Sequence, residues 1–304
     1  MTFKPVYIET SRRGLLRERI RLARDILTEC RLCPRECKVN RMEDESGICK
    51  TGRRAVVSSY SPHFGEESPL VGFRGSGTIF FTHCNLLCNF CQNYDISHEG
   101  RGEEVSETIL AEMMIHLQDI GCHNINFVTP SHVVPQILTA LEIAIGKGLQ
   151  VPLVYNTSGY DKVEVLRMLD GIVDIFMPDF KFWDPGISKE TCNAPDYPEV
   201  ARQAIKEMHR QVGDLKVDNL GIALRGVLVR HLVMPYGIAG TKEIMNFLSK
   251  EISSGTYVNI MPQYRPCGNA WQDSKLARSL TPGEYHEALE IAKKEGISRL
   301  DDRN

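Results

Sequence analysis

Long apolar runs are missing from this chain. Its longest stretches without Asp, Glu, Lys or Arg cover residues 75–94 and 120–141, and Asn, His, Thr and Gly or Pro break both of them. Neither reads as a membrane span. The opening Met-Thr-Phe-Lys-Pro-Val-Tyr-Ile-Glu-Thr has no apolar core segment, so no secretory signal is expected. Low-complexity segments are absent as well. The expectation is a soluble, cytoplasmic chain of 304 residues, long enough to bury a large core without disulfides. Net charge is nearly absent at −3, but it is unevenly spread. Residues 1–60 carry 14 Lys and Arg against 8 Asp and Glu, a net of +6; the remainder carries 22 against 31, a net of −9. A basic head on an acidic body fits an acidic or nucleic-acid partner. The more economical reading is a solvated helix over 11–29, with Leu15, Leu16, Ile20, Ala23, Ile26 and Leu27 as an apolar stripe between arginines.

Cysteine, by contrast, is plentiful, with ten residues. In a reducing cytosol that number points to metal binding or catalysis rather than to a disulfide framework.

From residue 74 onward, short apolar runs alternate with amphipathic segments. Strands are expected over 78–82, 125–129, 153–156, 173–177, 227–233 and 257–261, mostly apolar on both faces, as in a parallel sheet covered by helices. Helices are expected near 106–120, 133–146, 162–169, 198–211, 241–252 and 283–295. Asp161 with Glu164, and Thr281-Pro282 with Glu284, fit capping boxes. Four of the six strands run into proline, at Thr129-Pro130, Met177-Pro178, Met234-Pro235 and Met261-Pro262. Proline holds the preceding residue extended and removes a ladder donor, so each strand should stop at its carboxyl edge. In barrel folds that edge carries the chemistry. Six units are too few for eight strands. The expected fold is therefore α/β: a partial (β/α)6 TIM-type barrel over 74–304, with a small Cys-rich, metal-binding extension over 1–73.

Directly after the first strand stands Cys84-Asn-Leu-Leu-Cys88-Asn-Phe-Cys91. Three thiolates on one loop can hold three irons of a 4Fe–4S cluster. Without a fourth nearby cysteine, one iron stays open to a small chelating molecule. Zinc with His83 is the alternative, made awkward by the adjacency of His83 to Cys84. A second group, Cys30, Cys33, Cys37 and Cys49, completes a closed shell of four and suits either zinc or a second iron–sulfur cluster. Cys122 reads as a small buried residue, Cys192 as a loop residue with no assigned role, and Cys267 as a neighbour of the site.

The C-x3-C-x-Phe-C run after the first strand resembles the radical S-adenosylmethionine (SAM) superfamily. The wording Cys-Asn-Phe-Cys-Gln-Asn-Tyr-Asp-Ile-Ser is similar to its pyruvate formate-lyase activating-enzyme-like branch. So are Asn-Phe-Val-Thr-Pro-Ser-His, Val-Tyr-Asn-Thr-Ser-Gly-Tyr, Met-Pro-Asp-Phe-Lys and Val-Arg-His-Leu-Val-Met-Pro. The resemblance implies that Cys84, Cys88 and Cys91 ligate the cluster and that SAM chelates its fourth iron. Reductive cleavage would then give a 5′-deoxyadenosyl radical that abstracts hydrogen from a substrate, the cofactor carrying the difficult chemistry. It places Phe90 near the adenine. Thr129 and Ser131 stand where the SAM amino group is received, although the usual Gly-Gly-Glu is replaced. Asn156, Ser158, Asp179, Lys181 and Arg230 match positions around the SAM carboxylate, with Asn156 in place of an aspartate. Tyr264 stands where activating enzymes have histidine. An electron donor such as flavodoxin or ferredoxin is implied. The substrate is a partner protein receiving a glycyl radical, or alternatively another protein, an RNA or a small molecule. A different class altogether is a non-enzymatic iron–sulfur or zinc protein for electron transfer or scaffolding.

Overall fold

A computed structural model describes residues 3–302. It contains ten strands: β1 (Ala55–His63), β2 (Ser76–Phe81), β3 (Glu103–Val105), β4 (Ile125–Val128), β5 (Leu153–Thr157), β6 (Ile175–Pro178), β7 (Lys216–Val217), β8 (Ala223–Leu232), β9 (Tyr257–Met261) and β10 (Arg299–Leu300). Nine of them form one sheet in the order β10-β9-β8-β6-β5-β4-β2-β1-β3, and β7 pairs with β8. From β2 through β4, β5, β6 and β8 to β9 the neighbours are parallel and in chain order. These are the six strands expected from the apolar runs, apart from end shifts of a few residues. Every residue of β5 and β6 is buried, as expected where helices cover both faces of a parallel sheet. The fold is α/β with a mostly parallel central sheet, consistent with an open, partial barrel.

The helices are α1 (Val6–Arg12), α2 (Leu15–Asp25), α3 (Ser68–Val71), α4 (Tyr94–Ser97), α5 (Glu107–Asp119), α6 (Val134–Gly146), α7 (Val163–Met168), α8 (Pro185–Cys192), α9 (Tyr197–Val212), α10 (Thr241–Phe247) and α11 (Pro282–Lys294). The Thr281 capping box forms as expected. Glu284 N donates to Thr281 Oγ1 at 3.3 Å, and Thr281 N donates to the Glu284 carboxylate at 3.0 Å.

Four local expectations are corrected. The basic segment is two helices rather than one, because Gly14 at φ +75° turns the chain between them. Asp161 does not cap α7, which follows Lys162 with no side-chain cap. Its carboxylate turns inward and accepts from Tyr155 Oη at 2.9 Å and Thr157 Oγ1 at 2.6 Å. Thr129, before Pro130, is not extended but sits at φ +61°, a strained conformation for a β-branched residue. Finally, β1 lies in the stretch read as a Cys-rich extension with no strand expected, yet it pairs antiparallel with β2 and carries β3 on its other side. The sheet thus continues across residue 73. Ser59, Tyr60 and Ser61 in the middle of β1 are exposed, so it lacks the continuous apolar pattern of its neighbours.

The amino-terminal helices lie on the sheet-covering layer. Tyr7 is fully buried and its hydroxyl donates to the Val151 carbonyl at 2.9 Å. Val6 N donates to Asp174 at 3.0 Å, and two of the four α2 arginines are used within the chain: Arg17 pairs with Glu142 at 2.6 Å and Arg19 donates to the Asp170 carbonyl. Among the described residues, no helix is long and apolar enough to cross a membrane.

Candidate active site

β2 delivers the chain into the loop carrying Cys84, Cys88 and Cys91. Its tight path puts His83 and Leu87 at φ +62° and +57°, a conformation that costs about 1 kcal/mol or more per non-glycine residue. The turn brings donors onto sulfur: Leu86 N lies 3.3 Å from Cys84 Sγ and Ser97 Oγ 3.2 Å from Cys91 Sγ. Burial pushes the Cys84 thiol up to about 12 and raises Cys91 too. Buried thiols of this kind ionise only when a cation compensates them, and a coordinating metal does so outright. Three soft sulfur donors, two of them already receiving an N–H or O–H group, therefore fit an iron–sulfur cluster. Among the described residues, no three His, Cys, Asp or Glu side chains close around one point as a single ion requires.

Sequence reasoning missed a fourth cysteine. Cys192 is the last residue of α8, not a loop residue, and its thiol lies beside Cys88. The neighbouring Cys192 thiol, then burial, pushes the Cys88 thiol up. Only the fold brings residues 88 and 192 together, so no local spacing could have signalled it.

Beside this loop lies a cavity of about 210 Å³ lined by Cys88, Phe90, Cys91, Asp179, Lys181 and Arg230, with Met261 and Gln263 at the end of β9. Phe90 is buried, edge-on to Phe182 with centroids 5.7 Å apart, and tilted against Tyr264 at 6.1 Å. The Tyr264 hydroxyl is engaged with the Leu276 carbonyl at 2.8 Å. The charged groups form one network. Asp179 takes Lys181 Nζ at 2.5 Å on one oxygen and Arg230 Nε at 2.7 Å on the other. Arg230 also donates to Asn156 Oδ1 at 2.7 Å and lies 3.6 Å from Glu66. Burial alone would raise the Asp179 carboxyl, but Arg230 and Lys181 hold it below its ordinary range. Lys181 is raised because Asp179 outweighs its own burial.

Glu66 and Glu67 were also missed. Both are buried, Glu67 accepts from Asn259 at 2.8 Å, and burial raises its carboxyl. The one local signal is a pair of adjacent acids in Gly65-Glu66-Glu67-Ser68-Pro69, outside any strand. A pocket holding both signs suits a zwitterionic ligand.

The remaining expected contacts stand apart from the residues lining this cavity. Ser131 Oγ and Thr157 Oγ1 share a buried hydrogen bond of 3.0 Å. Thr129 holds the turn after β4, and Ser158 Oγ is buried without a partner. In the head, Cys30, Cys33, Cys37 and Cys49 line a single cavity. All ten cysteines are free.

The radical SAM superfamily family model matches residues 78–227, a span that begins in β2 and ends in β8. An uncharacterized protein of Methanocaldococcus jannaschii is 32% identical over 303 residues, covering 97% of this chain and 83% of that protein. The matched span holds the three-cysteine loop and the strand-end residues Asn156, Asp179 and Lys181, and the chain belongs to the radical SAM superfamily.

Proposed function

We propose that this protein is a radical SAM enzyme whose cluster is held by Cys84, Cys88 and Cys91 and whose SAM occupies the adjoining cavity. The observation that carries the reading is the shared wall: the cluster-loop residues Cys88, Phe90 and Cys91 line the same cavity as Asp179, Lys181 and Arg230. When bound, the cluster and SAM supply reductive cleavage of the sulfonium and hydrogen-atom abstraction. The chain's own residues bind and orient. Phe90 offers an apolar face for the adenine. Asp179 and Glu66 offer anionic oxygens to the amino group, and Lys181 and Arg230 offer cationic donors to the carboxylate. The ion pairs among these four hold each side chain in place before the ligand arrives. Phe182 and Tyr264, packed on Phe90, keep water from that wall.

A one-electron donor of the flavodoxin or ferredoxin kind would serve such an enzyme, and ten free cysteines fit a reducing, cytoplasmic setting. The sheet would form a partial barrel open at its carboxyl edge. The finer reading, glycyl-radical installation on a partner protein, rests on the Cys-Asn-Phe-Cys-Gln-Asn-Tyr wording alone. A pure electron carrier has no use for a cavity lined by two cations and a carboxylate.

The test is anaerobic reconstitution with iron and sulfide, reduction by dithionite, and addition of SAM. Formation of 5′-deoxyadenosine is expected, and Cys88→Ala should abolish it. No product, together with an EPR spectrum that SAM leaves unchanged, would overturn the enzyme reading.

A further inference from the structure

The four cysteines of the head are unused by the site above, and three observations say what they hold. First, Cys30, Cys33, Cys37 and Cys49 converge on one cavity although they span twenty residues. The chain bends hard to bring them there: Glu36, Lys38 and Lys50, each next to one of these cysteines, have φ of +42°, +59° and +49°. Ile48 N donates to Cys37 Sγ at 3.4 Å.

Second, a buried cation faces the same cavity. Arg41 is only 1% exposed. Its Nε donates to the Gly52 carbonyl at 3.1 Å, and its Nη1 to the His132 carbonyl at 2.8 Å while lying 4.0 Å from Cys30 Sγ. Its Nη2 has no hydrogen-bond partner. A buried guanidinium with an idle donor and no carboxylate partner is costly unless an anion completes its surroundings. Four thiolates around a doubly charged metal core carry a net charge of about −2, and their sulfurs accept N–H groups.

Third, the spacing distinguishes the possible cores. Four sulfurs at zinc distance, roughly 2.3 Å from one ion, stand about 3.8 Å apart and leave no room between them. Here the cavity admits about one water molecule, and no three ligands close around a single point. The loop of Cys84, Cys88 and Cys91 shows the same openness.

We infer that Cys30, Cys33, Cys37 and Cys49 hold a second iron–sulfur cluster, with Arg41 as its buried counter-charge. The inference does not depend on SAM chemistry. The full-length Cys84→Ala/Cys88→Ala/Cys91→Ala variant, reconstituted anaerobically with ferrous iron and sulfide, should retain iron and acid-labile sulfide in equal amounts and give an EPR signal after dithionite. Zinc alone, or no bound metal, would overturn it. Should that variant not fold, Cys37→Ala in the otherwise intact chain should lose about half of the wild-type iron; unchanged iron content would equally overturn it. Because the triple variant has no first site, its result is separate from the fate of the enzyme reading.

Discussion

Single residues carry the charge balance of the cavity. Arg230 contacts Asp179, Asn156 and Glu66 at once, and removing one partner of a buried pair leaves the others uncompensated. Arg230→Gln should cost about 3–5 kcal/mol in a urea unfolding series and weaken SAM binding; a variant as stable as wild type would show that the network contributes nothing. His231, its neighbour, is fully buried, with Nδ1 2.8 Å from the Phe180 carbonyl and Nε2 2.9 Å from Thr241 Oγ1. Burial lowers its ring from 6.5 to about 4. Between these values the unfolded chain binds the extra proton and the folded chain does not, so stability is lost as pH falls. The loss between pH 7 and 5 should be about 2 kcal/mol, and His231→Gln should flatten that part of the pH profile. The cysteine triad was legible because its ligands share one short loop. Glu66, Glu67 and Cys192 were not, because the site residues they meet, Arg230, Asn259 and Cys88, stand more than a hundred residues away in the chain, and a pair of adjacent acids is a weak local mark.

At the level of elements, strand ends place the chemistry. Asn156, Asp179 and Arg230 come from three adjacent strands, β5, β6 and β8, and meet because Asp179 bridges to Arg230 in parallel register. The six parallel strands were readable because burial on both faces writes an unbroken apolar run. The antiparallel β1 was not, since its half-exposed pattern resembles a turn-rich loop. Capping shows the same limit. Thr281 lies on the surface, and the Glu284 carboxylate accepts from Thr281 N as well as from Arg278 and Tyr236 N, so its other partners are met without breaking the local motif. Asp161 has the hydroxyls of Tyr155 and Thr157 within reach in the core, and tertiary contact prevails over the cap. Thr281→Ala should therefore destabilise by about 1 kcal/mol, measured by thermal unfolding, whereas Glu164→Ala should change little.

At the scale of the whole molecule, the head is part of the body. Tyr7 fills a fully buried position and Thr10 Oγ1 donates to the Gly171 carbonyl at 2.5 Å. Tyr7→Ala should cost about 3–5 kcal/mol; a shift of under ~1 kcal/mol would mark the helix as a loosely attached arm. The tightest link is Arg35, which stands between Cys33 and Cys37. Its guanidinium donates to the carbonyls of Asn85 at 2.9 Å, Leu86 at 3.1 Å, Cys192 at 2.8 Å and Asn193 at 2.5 Å. This one side chain therefore sets an order of assembly. Its acceptors lie 50 to 158 residues further along the chain, so a head made early in synthesis cannot seat until the end of α8 has been made and folded. Closure of the head therefore reports a chain folded through the end of α8, before β8 and β9 complete the sheet.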